Sequence, residues 1–358
     1  MARSAKQLFR KEVLRQKAYH LDSYSGVIKL DQNELGYDFT PAMKRAWIGT
    51  LKKIPLQRYP TVRPARLKAA LAVDLKVKPD QILLSPGSNL MISTLVSAAA
   101  IGGKVMALDP SFGLYPLAAQ ALGNRFIPLP LNSKDFSLDL KQALKMIART
   151  RPQIIFIANP NAPTGNLLPK QTMEKIIRKA PGLVVIDEAY HHFSGVSYLP
   201  WVRRYPNLVI LQTFSKSWGL GGGRLGYIVA QAEVTAEVEK MLPPYCVNPL
   251  SESAALIALK NKKYFQKLIR EVIRERKRVF IAMAAMKSLQ VYPSETNFLL
   301  FRVKDAKGCF RHLLKRKVLV RDMSSHHKLK GCLRVTIGQP KENDAFLRAI
   351  RSYRPAKD

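Results

Sequence analysis

The amino-acid sequence predicts an α/β protein with a mostly parallel central sheet in a large domain, plus a smaller α+β domain. Two observations lead to this fold class. Short apolar runs alternate with helical patterns between Gln81 and Ala230, which is typical of a buried parallel sheet covered by helices. After Pro249 the pattern changes to a long charged helical stretch, followed by shorter strand and helix patterns.

Seven apolar runs are expected to form the strands of the central sheet. In chain order they are QILLSP, KVMALD, RFIPLPL, QIIFIAN, GLVVIDE, NLVILQTFS and RLGYIVA. Residues that interrupt regular structure lie between these runs, among them Pro110, Pro163, Gly165 and the Gly221-Gly222-Gly223 triplet. Each run is therefore predicted to be a separate strand.

The C-terminal part is predicted to form the smaller domain. Its charged helical stretch reaches about Met286 and precedes VYPSETNFLLFRV, a short helix, VLVRD, the strand CLRVTIG and a final helix. We therefore predict a segment 1–35 that joins the small domain or a dimer interface, a large domain 36–249 and a small domain 250–358.

Length and composition indicate a globular protein of enzyme size. The chain has 358 residues, 47% of them hydrophobic, which is enough for a sizeable core. No window resembles a membrane span or the apolar core of a signal peptide, so we expect a cytoplasmic protein. Cys246, Cys309 and Cys332 lack the spacing of metal ligands, so we expect inert thiols and no metal site.

The formal net charge of +34 has three interpretations. The excess of Lys and Arg can bind nucleic acid, steer phosphorylated or carboxylated substrates into a cationic cleft, or reflect solvated helix faces. The basic residues are scattered over many segments and accompany no nucleic-acid motif. We therefore favour solvated faces over specific nucleic-acid binding.

Unusual polar residues follow four of the predicted strands. Ligands of open α/β sheets bind at the carboxyl ends of strands, so the chemistry is expected there. The four strand ends are Gly87-Ser88-Asn89, the run Asn159-Pro160-Asn161-Ala162-Pro163-Thr164-Gly165, Asp187-Glu188-Ala189-Tyr190, and Thr213-Phe214-Ser215-Lys216 followed eight residues later by Arg224.

In this order and spacing the motifs resemble those of fold-type I pyridoxal-5'-phosphate (PLP) aminotransferases, most closely the histidinol-phosphate aminotransferase branch. The resemblance covers nearly the whole chain and implies an aspartate aminotransferase-like fold whose large domain binds PLP. Its other motifs are Leu30-Asp31-Gln32-Asn33-Glu34, Arg58-Tyr59-Pro60, Pro110-Ser111-Phe112, Pro293-Ser294 with Asn297-Phe298, Val320-Arg321-Asp322, and the run from Gly331 to Gly338 that contains Arg334.

The resemblance implies a role in cofactor binding for each strand end. Lys216 would hold PLP as a Schiff base and move a proton between substrate and cofactor. Asp187 would pair with the protonated ring nitrogen, since a buried carboxylate needs a cation. Tyr190 would donate a hydrogen bond to the ring oxygen, and Phe112 would stack on the ring. The other residues predicted to bind the cofactor, several of them around its phosphate, are Gly87, Ser88, Asn89, Asn161, Thr213, Ser215 and Arg224. Tyr59 would reach the cofactor phosphate of the partner subunit, which implies a homodimer.

The same resemblance indicates the substrate. Arg334 and Arg321 would hold its phosphate or carboxylate, with Tyr37 and Asn33 nearby. The expected reaction is ping-pong transamination between L-histidinol phosphate and 2-oxoglutarate, in histidine biosynthesis. Threonine-phosphate decarboxylase and aromatic amino acid aminotransferases share almost the same site and stay as alternatives. A nucleic-acid-binding regulator is disfavoured, because only about 30 residues precede the first motif, whereas a DNA-binding module needs about 60.

The sequence departs from the family pattern at three places. Ala162 stands where the family has an Asn that donates a hydrogen bond to the ring oxygen, so Tyr190 is expected to be the main donor unless Asn161 or Asn159 reaches across. Asn89 and Leu90 replace an acidic pair, a change that main-chain phosphate binding should tolerate. The N-terminal Pro-Tyr-Gly motif reads Gly36-Tyr37-Asp38.

Overall fold

The computed structural model describes residues 5–16, 18 and 22–354. After the short strand β1 (Ile28–Lys29), the seven predicted apolar runs form one sheet. Its strands are β2 (Ile82–Ser85), β3 (Lys104–Asp109), β4 (Arg125–Pro130), β5 (Ile154–Ala158), β6 (Leu183–Asp187), β7 (Leu208–Thr213) and β8 (Gly226–Val229). Their spatial order is β2-β8-β7-β6-β5-β3-β4, and β8 runs antiparallel to both of its neighbours. The neighbouring pairs from β7 to β4 are parallel, which confirms the predicted sheet.

The central strands are apolar throughout because both faces of the sheet are buried. In β5, Ile155 and Ile157 join one core cluster, whereas Ile154, Phe156 and Ala158 join the other. The helices before Pro249 are the short α1 (Lys11–Leu14), α2 (Pro41–Leu51), α3 (Ala65–Leu75), α4 (Ser88–Ala99), α5 (Leu114–Ala121), α6 (Leu140–Thr150), α7 (Lys170–Lys179), α8 (His191–Ser194) and α9 (Ala232–Glu239). Among them, α3, α4, α5 and α9 contact strands of the sheet directly.

Several helices begin at a residue whose side chain accepts a hydrogen bond from the first turn. Thr40 caps α2, and Asp139 caps α6. Such caps satisfy backbone N–H groups that have no partner within the helix, so they locate the helix starts.

The C-terminal part combines helices with a small antiparallel sheet. Its helices are α10 (Pro249–Lys260), α11 (Lys262–Ala284), α12 (Ala306–Lys315) and α13 (Pro340–Arg351). Its strands are β9 (Gln290–Val291), β10 (Phe298–Arg302), β11 (Val318–Leu319), β12 (Arg321–Asp322) and β13 (Cys332–Thr336). Strands β12, β13, β10 and β9 form the sheet in that order.

The N-terminal segment is attached to this C-terminal part. Strand β1 pairs in parallel with β11, so residues just before the first motif lie beside the small sheet. Residues 1–4, 17 and 19–21 of the predicted segment 1–35 lie outside the described residues. Helix α10 packs against α2 and α3, and the three domain boundaries stay predictions.

Two features of the described residues relate to the expectations about membrane spans and cysteines. None of their helices is long and apolar enough to cross a bilayer. Cys309 and Cys332 are buried free thiols, and Cys246 is a half-buried one.

Candidate active site

The predicted strand ends lie side by side at one edge of the central sheet. Ala158 and Asp187, the last residues of β5 and β6, are in register, and β7 continues two residues past Leu211, the partner of Asp187. Gly226 pairs with Ser85 on one side and with Thr213 on the other, which places the ends of β2 and β7 across β8. The sheet register therefore brings the four polar segments to one edge.

Lys216 follows β7 and points to the N-terminal segment. Its Nζ donates a 2.8 Å hydrogen bond to the carbonyl oxygen of Gln32. Burial, together with the positive charges of Arg334 and Arg224, lowers the pKa of the Lys216 ammonium to about 8. A sizeable fraction of this amine is therefore neutral near pH 7.5, as a nucleophile towards a carbonyl group requires.

Asp187 ends β6 and is 6% exposed. The Tyr115 hydroxyl donates to its Oδ2 at 2.8 Å, and the Ala189 N–H donates to its Oδ1 at 3.0 Å. Burial raises the pKa of the Asp187 carboxyl to about 6, and these hydrogen bonds partly offset the rise. A cationic partner would stabilise the carboxylate further.

Tyr190 is buried and hydrogen-bonded to Asn33. The Asn33 Nδ2 donates to the Tyr190 hydroxyl oxygen at 2.8 Å, which leaves the hydroxyl proton available to another acceptor. The Asn33 backbone N–H donates to Thr336 Oγ1 at 2.9 Å, so the segment is tied to β13. The side chain of Asn33, predicted to bind substrate, is thus directed to Tyr190.

The two asparagines that could replace the family Asn at Ala162 are engaged elsewhere. Both amide hydrogens of Asn161 have partners, at the Pro110 carbonyl oxygen (2.9 Å) and Thr164 Oγ1 (2.7 Å). The Asn159 amide donates to the Tyr198 hydroxyl at 3.0 Å. The predicted contact of Asn161 with the cofactor therefore gains no support from the geometry, and Tyr190 stays the candidate donor.

The end of β2 and the turn after Lys216 form a narrow cradle. Gly87, with φ +84°, precedes the first residue of α4, Ser88. A Cβ on Gly87 would lie 2.7 Å from Arg224 Nη2, and one on Gly226 would lie 2.5 Å from the Ser88 nitrogen. Thr213 Oγ1 donates to Ser215 Oγ at 3.0 Å, and Arg224 Nη1 donates to the same oxygen at 3.5 Å. Asn89, the second residue of α4, is exposed.

This arrangement fits the phosphate and ring of PLP. A helix N-terminus and an arginine favour a phosphate dianion, and the close approach at Gly87 explains why no side chain is present there. The buried carboxylate of Asp187 suits a protonated ring nitrogen, and the lowered pKa of Lys216 suits a carbonyl partner. The residues present therefore fit this cofactor.

The two predicted substrate arginines lie on neighbouring strands. Arg321 on β12 is opposite Arg334 on β13. The Arg334 guanidinium donates to the Asp31 carbonyl oxygen at 2.7 Å and lies 5.3 Å from the centre of the Phe298 ring. Paired guanidinium groups favour phosphate or carboxylate ligands.

Tyr37 lies in a cavity of about 350 Å³ that Ser215, Gly221 and Thr336 also line. Its hydroxyl donates to Glu271 at 2.6 Å. Burial and the Glu271 carboxylate raise the pKa of Tyr37, so the hydroxyl remains a donor. Tyr37 and Ser215 thus line the same cavity, and the role of Tyr37 in substrate binding stays a prediction.

The two remaining predicted aromatic residues are accessible. Phe112 is 37% exposed and packs edge-on against Tyr115. Tyr59 is 84% exposed and stacks on Tyr245, with ring centres 5.0 Å apart. Its exposure is compatible with a contact to a partner subunit, which stays a prediction.

Sequence reasoning missed two residues that contact the site. The Tyr115 hydroxyl donates to Asp187, and the Gln32 carbonyl oxygen accepts from Lys216. Glu188, which follows Asp187 in the chain, is fully buried. Glu188 accepts hydrogen bonds from Ser197 Oγ, the Tyr198 N–H and Gln212 Nε2. Tyr115 lies three residues after the motif residue Phe112, and no pattern in the sequence indicated its contact with Asp187. The contact to the Gln32 backbone left no sequence signal.

One further cluster of ligand-type side chains lies at the end of β3. The ligand atoms of Asp109, His326 and His327 lie within 4.8 Å of one another. However, the Lys328 ammonium lies 3.2 Å from Asp109 Oδ2, where it would repel a metal cation. We therefore interpret the cluster as an ion-pair network that joins β3 to the loop before β13.

Comparisons with known proteins agree with this geometry. Residues 25–350 match the model of the family described as aminotransferase class I and II. The chain is 40% identical to histidinol-phosphate aminotransferase 2 of Cupriavidus pinatubonensis, over 96% of each chain. Two solved structures, each 24% identical, share the fold. Histidinol-phosphate aminotransferase of Clostridium acetobutylicum matches with a TM-score of 0.83 over 90% of this chain and 97% of that one. L-threonine-O-3-phosphate decarboxylase of Porphyromonas gingivalis matches with a TM-score of 0.81 over 90% and 98%. The chain therefore belongs to the class I and II aminotransferases, in the histidinol-phosphate aminotransferase branch.

Proposed function

We propose that this enzyme transfers the amino group of L-histidinol phosphate to 2-oxoglutarate with PLP as cofactor, in the biosynthesis of histidine. The pair Arg321 and Arg334 carries the proposal, because two guanidinium groups on adjacent strands suit the phosphate of one substrate and a carboxylate of the other. The name of the Cupriavidus pinatubonensis relative supports the same substrate.

Each residue of the site has its own role in the proposed reaction. When bound, PLP supplies an electron sink for the carbanion that forms when substrate Cα loses its proton. Lys216 would hold PLP as a Schiff base and, once substrate displaces it, would move that proton from substrate Cα to the cofactor. Asp187 would keep the ring nitrogen protonated, and Tyr190 would donate a hydrogen bond to the ring oxygen. The Ser88 N–H, Ser215 and Arg224 would bind the phosphate.

We further propose a cytoplasmic homodimer in which Tyr59 of each subunit contributes to the partner's site. The exposed Tyr59 ring supports this arrangement. The retained Lys216, Asp187 and Arg224 favour catalysis over a regulatory role in nucleic-acid binding.

A half-reaction tests the substrate. The PLP-loaded enzyme is mixed separately with L-histidinol phosphate, L-threonine phosphate and L-phenylalanine, and both the cofactor absorbance and released CO2 are followed. We expect histidinol phosphate to convert the cofactor to its pyridoxamine form and 2-oxoglutarate to reverse the change. CO2 released from threonine phosphate alone would instead identify a decarboxylase, and reaction with phenylalanine alone an aromatic aminotransferase.

A variant links the result to the proposed phosphate site. Preference is measured as the ratio of kcat/KM for histidinol phosphate to kcat/KM for histidinol. Arg334→Gln should lower this ratio by at least about tenfold, since one charge-assisted contact to phosphate is lost. An unchanged ratio would show that Arg334 does not bind the substrate phosphate. Lys216→Ala serves as the inactive control.

A further inference from the structure

The carboxylate of Asp187 is held by a phenol for which sequence reasoning gave no role. Tyr115 is fully buried, and its hydroxyl donates to Asp187 Oδ2 at 2.8 Å. Burial and the neighbouring carboxylate raise the pKa of Tyr115 well above its usual value, so the phenol stays protonated and can only donate to Asp187.

Packing gives the Tyr115 hydroxyl a defined position. The residue lies in the first turn of α5, and its ring stacks on Phe156 of β5, with centres 4.9 Å apart and planes 8° from parallel. Phe112, predicted to stack on the cofactor ring, contacts the Tyr115 ring edge-on at 5.7 Å. One turn of chain thus carries both the residue for the ring face and the donor to Asp187.

A neutral donor has a different effect on Asp187 from that of a cation. A hydrogen bond from a phenol stabilises the ionised carboxylate without adding a positive charge that would compete with a protonated ring nitrogen. With Oδ1 bonded to the Ala189 N–H and Oδ2 to Tyr115, each oxygen keeps a lone pair for one more donor.

We propose that Tyr115 is a positioning residue for the cofactor: its phenol keeps the Asp187 carboxylate ionised and oriented towards the ring nitrogen of PLP. This inference rests on the cofactor, but not on the substrate, of the proposed function.

The test compares two cofactors in two variants. Tyr115→Phe removes the donor. Tyr227→Phe is the matched control, because Tyr227, on β8, is also buried and its hydroxyl donates to Gln212 Oε1 instead of Asp187. Dissociation constants are measured by absorbance and fluorescence for PLP and for its analogue in which a carbon atom replaces the ring nitrogen.

We expect Tyr115→Phe to bind PLP about tenfold more weakly than the unmodified chain, since a hydrogen bond to a charged group is lost. The variant should bind the analogue as tightly as the unmodified chain does, which also shows that it is folded. Tyr227→Phe should bind both cofactors normally.

An equal loss of affinity for both cofactors would mean that Tyr115 contributes only to packing, and would overturn the proposal. Unchanged PLP binding in Tyr115→Phe would do the same. If the unmodified chain failed to bind PLP, both the cofactor assignment and this proposal would be wrong. If it bound PLP but did not react with histidinol phosphate, only the proposed substrate would be wrong.

Discussion

At the scale of single residues, hydrogen bonds in the site join parts of the chain that are far apart in sequence, as between Asn33 and Tyr190 and between Lys216 and Gln32. The motifs identify Lys216 and Asp187 by their resemblance to the aminotransferase family, and a charged side chain at or near the end of a buried strand is costly without a function. Asn33 was found as a motif residue, but its partner, Tyr190, lies 157 residues away in sequence. Only the fold could show that its amide is directed to this hydroxyl.

Ala162 leads to a residue-scale prediction about the cofactor. The side chain is buried, and neither Asn159 nor Asn161 is free to replace the missing amide. An amide donor at position 162 would stabilise the ionised ring oxygen. We therefore expect Ala162→Asn to lower the pH midpoint of the change in the visible absorbance of bound PLP by about one unit.

The control for this titration is Ala162→Leu, which adds similar bulk but no donor. It should leave the midpoint near that of the unmodified enzyme. An unchanged or higher midpoint in Ala162→Asn would show that Tyr190 already satisfies the ring oxygen.

At the scale of elements, the strands of the central sheet were predictable because each is an uninterrupted apolar run between breaking residues. The contacts between elements were not. His326 and Asp109 lie 217 residues apart, yet His326 Nε2 lies 2.9 Å from Asp109 Oδ1. Lys328 Nζ also donates to the carbonyl oxygens of Asp109 and Leu131, at 3.1 and 3.5 Å. No periodicity in the sequence encodes such a connection between β3 and a distant loop.

This connection predicts a pH-dependent contribution to stability. Burial alone would raise the pKa of Asp109, but hydrogen bonds from His326 and Lys328 lower it below its ordinary value. A carboxyl whose pKa is lower in the folded state stabilises above its unfolded pKa of about 3.9, and this stabilisation is lost as the pH falls through the folded value.

Asp109→Asn should therefore reduce the free energy of unfolding by about 1–3 kcal/mol at pH 7, because the Lys328 ammonium loses its charged partner. The difference from the unmodified enzyme should shrink below about pH 4. Urea unfolding at pH 7, 5 and 3.5 measures both effects, with the exposed Asp80→Asn as control. A difference that stayed constant with pH would exclude the charge as its cause.

At the scale of the whole molecule, the change of pattern near Pro249 predicts a large and a small domain, and segment 1–35 is predicted to join the small domain or a dimer interface, but the sequence does not predict which elements pack together. The first helix after that residue packs on α2 and α3, and the N-terminal strand β1 pairs with β11. The N-terminal segment also reaches the site, since Lys216 Nζ donates to the Gln32 carbonyl oxygen.

The last prediction concerns the proposed sharing of sites between subunits. If Tyr59 serves the partner's cofactor, a dimer of one Lys216→Ala and one Tyr59→Ala subunit contains one complete site, built from Lys216 of the second subunit and Tyr59 of the first. Such a heterodimer, isolated with two different affinity tags, should show about half of the native activity, although each variant alone is weak or inactive.

A heterodimer of Lys216→Ala and Arg224→Ala is the control, because Arg224 lies in the same subunit's cradle as Lys216. It contains no complete site and should stay inactive. Tyr59→Ala is expected to fold normally, since the side chain is 84% exposed. Equal activity in the two heterodimers would contradict the sharing of sites between subunits and would show that Tyr59 contributes to the site of its own subunit.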